Sequence, residues 1–145
     1  MTDRQAGVLV FHGALLLLVG NLTGLPFALA IQESWGEDVV RAWRVAHTSL
    51  LMGGILYVAT GLARRHIALP ARAGAFMVRA LVVTAYVFSS ALILGACIGA
   101  RGLSESGPPL HVLIFVAFLF SVTALFAASI LFVWGTYRAL SREVA

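Results

Sequence analysis

The sequence contains no lysine, six acidic residues and a single cysteine among its 145 residues. Charged residues make up only 11% of the chain, whereas hydrophobic residues make up 61%, and the mean hydropathy is +0.97. A soluble domain of this length needs more polar residues than that to cover its outside. The lone Cys97 excludes an intrachain disulfide. The natural solvent of this chain is therefore a lipid bilayer.

Four apolar stretches are long enough to cross a bilayer, for which a helix needs about 20 largely apolar residues. They run near Ala6–Ile31, Ala42–Ala63, Ala73–Ala100 and Leu110–Leu140. The sequence thus predicts an all-α protein, an integral membrane four-helix transmembrane bundle, that forms a single domain over residues 1–145.

The ten basic residues are all arginines, and those outside the spans are spread over short loops and the ends of the chain. This pattern indicates membrane topology and no nucleic-acid partner. The arginines of one side lie at the two ends of the chain and in the loop between the second and third stretches: Arg4, Arg64, Arg65, Arg72, Arg138 and Arg142. The other two loops mix Arg41, Arg44 and Arg101 with the acidic Glu33, Glu37, Asp38 and Glu105. The positive-inside rule then places both termini in the cytoplasm of a bacterial-type inner membrane. One alternative is a secretory signal cleaved after Ala28-Leu29-Ala30.

Polar side chains inside the spans are candidates for function or for hydrogen bonds between helices. They are His12, Asn21, His47, Arg79, Tyr86 and His111. Counting residues from the helix ends places His47, Asn21 and Tyr86 in the outer and middle layers. His12 is nearer the cytoplasmic side, and His111, in the outer layer, is the one histidine that could oppose His47 as a second ligand.

The second stretch carries its histidine beside an aromatic, a cation and a glycine. Trp43, Arg44 and Gly54 share a helical face with His47, at offsets of four, three and seven residues. Trp43 could pack against a flat cofactor, Arg44 could meet a propionate, and Gly54 would allow a porphyrin or another backbone to approach. Histidine is a usual axial ligand of haem iron, and no Cys-x-x-Cys-His motif is present to attach haem covalently. The alternative for His47 is a hydrogen bond to a neighbouring helix.

Several short motifs resemble the styrene oxide isomerases, a family of small four-helix membrane proteins. The second helix of that family has a Trp-x-x-Ala-His segment, and this chain has "WRVAHTSLLMGG". The family's first helix has a His-Gly pair with a glycine eleven residues later, as do His12, Gly13 and Gly24. "YVFS" at Tyr86–Ser89 is similar to a tetrad of the third helix. The next loop matches at Arg101–Leu103 and at Gly107-Pro108.

The resemblance implies haem b at the subunit interfaces of a homotrimer, with His47 as the axial ligand. It implies that a small hydrophobic aryl epoxide such as styrene oxide is converted to an aldehyde, the ferric iron acting as a Lewis acid and Tyr86 contacting the epoxide oxygen. The family has an asparagine six residues after the ligand histidine, where this chain has Gly53. Asn21 could supply an amide instead. Two other functions remain: a haem b protein for electron transfer or sensing, ligated by His47 and His111, and a cofactor-free accessory subunit.

Overall fold

The computed structural model describes residues 1–100 and 105–143, which form four long helices. They are α1 (Asp3–Gln32), α2 (Glu37–Leu62), α3 (Ala71–Ile98) and α4 (Pro109–Glu143), with a short 3-10 turn at Ala63–His66 between α2 and α3. All four helices are long and apolar enough to cross a membrane. The prediction of an all-α four-helix membrane bundle is confirmed. The Arg101–Leu103 motif lies outside the described residues.

The helices begin earlier than hydropathy predicts because polar residues stabilise their first turns. α1 begins at Asp3, where the Thr2 hydroxyl accepts from the Gln5 backbone N–H and the Gln5 side chain accepts from the Thr2 backbone N–H. This reciprocal capping satisfies donors that the helix leaves free. α2 begins at Glu37 rather than at Ala42, since acidic side chains are favourable beside the positive end of a helix dipole.

α1 and α2 form an antiparallel pair whose contact is built on glycine. A β-carbon at Gly13 would lie 2.8 Å from the Gly54 carbonyl oxygen, and one at Gly54 would lie 2.9 Å from the Gly13 carbonyl oxygen. The two backbones therefore touch without side chains between them. Close packing at small residues is how helices associate in lipid, where the hydrophobic effect does not drive them together.

The chain's beginning, the α2–α3 connection and the second half of α4 meet at one end of the bundle. The amino terminus donates to the Ile67 carbonyl oxygen at 3.3 Å, and Asp3 pairs with Arg64. The Ala68 backbone N–H donates to the Gly135 carbonyl oxygen at 2.9 Å. The predicted basic side of the sequence thus gathers at a single end of the protein.

Candidate functional site

His47 is held by a hydrogen bond between the two helices of the first pair. Its Nδ1 lies 2.7 Å from the carbonyl oxygen of Gly20 on α1. A carbonyl oxygen can only accept, so Nδ1 carries the proton and donates it. In a neutral imidazole the other nitrogen, Nε2, then keeps its lone pair. The hydrogen bond to a neighbouring helix, the alternative for His47, is therefore present. The second nitrogen of a metal-binding histidine is fixed in the same way, by a carbonyl or a carboxylate.

The residues around His47 leave room for the ring and hold its plane. A β-carbon at Gly24 would lie 3.2 Å from the ring's Cε1, so the glycine lets the imidazole lie directly against α1. Phe27 stacks on the imidazole, with ring centroids 6.0 Å apart and planes 28° apart. The Arg44 guanidinium lies 5.8 Å from the Phe27 ring centroid. Arg44, Phe27 and His47 therefore form a short column in the half of the α1–α2 pair nearest the loop that joins these helices.

Trp43 and Gly54, two other residues on the His47 face of α2, have different neighbours. Trp43 is buried, at 8% exposure, in a cluster with residues of α1 and α3, including Ala30 and Leu92. It anchors α2 in the bundle next to His47. Gly54 packs against the α1 backbone, as described above. Within one chain, α1 therefore occupies the space beside Gly54 in which the sequence predicts a cofactor. The reason is the close helix approach that the absence of a side chain permits.

Asn21 and Tyr86 do not meet in this structure. Asn21 follows Gly20 and is exposed on the surface of α1. Tyr86, on α3, is 48% exposed, and its hydroxyl lies 2.6 Å from Nδ1 of His12. The two rings meet edge to face, with centroids 5.5 Å apart and planes 88° apart. Gly53 is half-buried, and an added β-carbon would make an ordinary contact with a Leu16 methyl at 3.8 Å, so a β-carbon there causes no clash.

The sequence does not predict that His12 and Tyr86 pair. Residue counts along straight helices separate them, with His12 near the cytoplasmic side and Tyr86 in the middle of the bundle. The relative position of α1 and α3, which counting residues along each helix does not give, brings the two side chains together. The His-Gly match at His12 is the signal that singles out this residue.

Tyr86 also lines an apolar groove of about 370 Å³ between α3 and α4. Its other walls include Leu94 on α3 with Leu113 and Ile114 on α4. A Ser90 side chain adds a hydroxyl to this otherwise apolar surface. A groove of this size and chemistry suits a small aromatic molecule better than a polar one.

The donor set around His47 suits an iron that already has four ligands. Within residues 1–100 and 105–143, no group of three or more His, Cys, Asp or Glu side chains is placed to hold a metal ion. A metal chelated by protein alone needs several such ligands, whereas haem iron takes four from the porphyrin and one or two from the protein. A single histidine with a fixed Nδ1–H and an uncommitted Nε2 therefore fits haem. His111, which the electron-transfer alternative needs as a second ligand, is half-buried in the first turn of α4.

The fold and this site together define a multi-pass four-helix membrane protein with one fixed histidine in its first helix pair. The family model for styrene oxide isomerase matches residues 5–137, which is nearly the whole chain. The chain belongs to the styrene oxide isomerase family. Neither the comparison with curated proteins nor that with solved structures found a match.

Proposed function

We propose that this protein is a haem b-dependent isomerase that converts small aryl epoxides, such as styrene oxide, to aldehydes. The observation that carries the proposal is the His47 hydrogen bond to Gly20 in a chain of the styrene oxide isomerase family. That bond leaves the Nε2 atom of His47 to bind the haem iron. Arg44 lies one helical turn away, where it would pair with a haem propionate. Trp43 supports the helix that carries both, and Gly54 lets that helix lie against α1.

When bound, ferric haem would supply a Lewis acid for the epoxide oxygen. The reaction needs no oxidant or reductant. The benzylic C–O bond breaks, a hydride moves from the neighbouring carbon to the benzylic carbon, and the oxygen becomes that of an aldehyde. Positive charge at the benzylic carbon is spread into the aryl ring, which accounts for the choice of an aryl epoxide.

The protein's own part is to orient the epoxide and to exclude water. The Tyr86 hydroxyl would donate to the epoxide oxygen as negative charge grows there. The apolar groove that Tyr86 lines would hold the aryl ring and keep out water, which would trap the cation as a diol. Asn21, one residue after the His47 acceptor, is the side chain that could replace the amide missing at Gly53.

Family membership supports a proposal for the assembly, and the distribution of charge supports one for the orientation. We propose a homotrimer in a bacterial-type inner membrane, with both termini in the cytoplasm. The single end at which Arg64, the amino terminus and the second half of α4 meet supports this orientation. Large apolar side chains, among them Phe126 and Met52, are exposed on the isolated chain and are available to lipid or to other copies.

Turnover tests the proposal. Purified, haem-loaded protein should convert styrene oxide to phenylacetaldehyde without added cofactor, as followed by gas chromatography. Tyr86→Phe should lower kcat by about tenfold to a hundredfold because one donor to the developing oxyanion is lost. Tyr137→Phe is the matched control, since that tyrosine is 68% exposed on α4. Haem-loaded protein that leaves a panel of aryl epoxides unchanged would contradict the proposed reaction.

A further inference from the structure

The His12–Tyr86 pair is a polar contact between α1 and α3 in a region where polar groups are costly. Nδ1 of His12 and Oη of Tyr86 are 2.6 Å apart, and the perpendicular rings point the nitrogen at the hydroxyl. The Phe11 ring lies edge-on to the imidazole, with centroids 5.3 Å apart. His12 is half-buried, so its orientation is set by these neighbours. A polar side chain inside a span needs such a partner.

The direction of this hydrogen bond decides what Tyr86 can do. A phenol has one proton to donate, and a neutral imidazole has one donor and one acceptor nitrogen. If Nδ1 accepts the phenol proton, Tyr86 has none left for a substrate. If Nδ1–H donates to Oη instead, the phenol proton is free to turn toward another acceptor. Only the second direction allows Tyr86 to donate to an epoxide oxygen.

We propose that His12 is a positioning residue for the reaction: its Nδ1–H donates to Tyr86 Oη and keeps the phenol proton directed at the substrate oxygen. This inference rests on the proposed function, because it gives Tyr86 the role of donor. His12 itself does not touch the substrate. A bond to an already donating hydroxyl also strengthens the donor, since hydrogen bonds in a chain polarise one another.

Three substitutions at His12 separate positioning from packing. His12→Asn puts an amide close to the position of the imidazole Nδ1, whereas His12→Gln puts it at the position of Nε2, and His12→Leu removes the polar group. We expect His12→Leu to lower kcat for styrene oxide by about tenfold, the equivalent of one hydrogen bond, with KM little changed. His12→Asn should stay within about threefold of wild type because the bond is kept, and His12→Gln should resemble His12→Leu.

A double variant tests whether His12 acts through Tyr86. If it does, His12→Leu adds no further loss of kcat to Tyr86→Phe, because the partner is already gone. Losses that multiply, or a His12→Leu enzyme with unchanged kcat, would overturn the proposal.

A second readout does not depend on haem or on turnover. In protein labelled with ¹⁵N-histidine, the His12 signals are identified by their absence in His12→Asn. Nδ1 of His12 should carry the proton, and its signal should shift in Tyr86→Phe but not in Tyr137→Phe. A His12 that is unprotonated at Nδ1 would overturn the inference. Protein with the expected signals but no epoxide turnover would refute the proposed function and leave the pairing established.

Discussion

At the scale of single residues, two histidines within the described part of the chain, His12 and His47, are hydrogen-bonded to different kinds of partner. His47 faces a carbonyl oxygen, which only accepts, and this leaves its second nitrogen as a Lewis base. His12 faces a hydroxyl, which both donates and accepts, and in its proposed positioning role its Nδ1–H is the donor. The two sites are separated by about 12 Å along α1, counted from His12 to Gly20 at the rise of a helix.

Gly53 is the residue at which the chain departs from the family pattern. The space is present, since a β-carbon there would meet only Leu16 at 3.8 Å. We expect Gly53→Asn to fold, to bind as much haem as wild type and to raise kcat/KM for styrene oxide by about tenfold, through one added hydrogen bond to the substrate oxygen. Gly53→Ala is the control for the loss of glycine from a helix. Equal kcat/KM in the two variants would show that the asparagine position is not used here.

The sequence alone singles out some residues of the site but does not give the neighbours of others. His47 stands out because Trp43, Arg44 and Gly54 share its helical face and because its segment resembles that of the family. Helical spacing predicts that Gly54 lies on the same face as His47. It does not predict whether that glycine contacts a cofactor or α1, because this depends on where α1 lies. The His12–Tyr86 pair depends on how α1 lies against α3, which no count of residues along a single helix contains.

At the scale of elements, the α1–α2 pair is the part that holds His47 against its acceptor. Its register follows from successive contacts: Gly13 with Gly54, Gly20 with Leu51, and Gly24 with His47. The helices themselves could be predicted from apolar runs, since each must span the bilayer. Their first residues could not be predicted from hydropathy, because capping by Thr2 and the acidic turn at Glu37 extend α1 and α2 beyond the apolar stretches.

A β-carbon at the centre of this pair should force the helices apart. In Gly54→Ala the added atom would lie 2.7 Å from Leu17 Cγ and 2.9 Å from the Gly13 carbonyl oxygen, so the backbones must shift. We expect a loss of about 1–3 kcal/mol in the free energy of unfolding, as for other overpacked contacts. Denaturant titration in detergent micelles measures it.

Gly7→Ala is the control for this loss. A β-carbon at Gly7 meets nothing within 4 Å, so the change should be neutral or stabilise by up to about 1 kcal/mol through helix propensity. If Gly54→Ala were as stable as Gly7→Ala, the close packing of α1 on α2 would be contradicted.

At the scale of the whole molecule, the fold brings the arginine-rich segments of the sequence to one end of the bundle. Arg4, Arg64, Arg65 and Arg72 belong to the end at which the amino terminus and the 3-10 turn meet the second half of α4, which carries Arg138 and Arg142. The opposite end carries Glu37 and Asp38 together with Arg41. Such an asymmetry orients a multi-pass protein, because short arginine-rich segments stay in the cytoplasm.

Labelling with a membrane-impermeant maleimide tests this orientation. In a Cys97→Ser background, Ser106→Cys should react on intact spheroplasts, and His66→Cys should react only after the membrane is permeabilised. Both positions are exposed, so their reactivity reports the side of the membrane. Reaction of His66→Cys on intact spheroplasts would reverse the assignment.

The absorption spectrum of detergent-purified protein tests the central claim, that His47 binds haem, most directly. Cells supplied with a haem precursor should yield wild-type protein with a Soret band. His47→Ala should lose that band while keeping its helical circular dichroism, because the axial ligand is gone and the helices are not. His66→Ala, in the 3-10 turn, should keep the band in full. A colourless wild-type protein, or a Soret band retained in His47→Ala, would contradict the account.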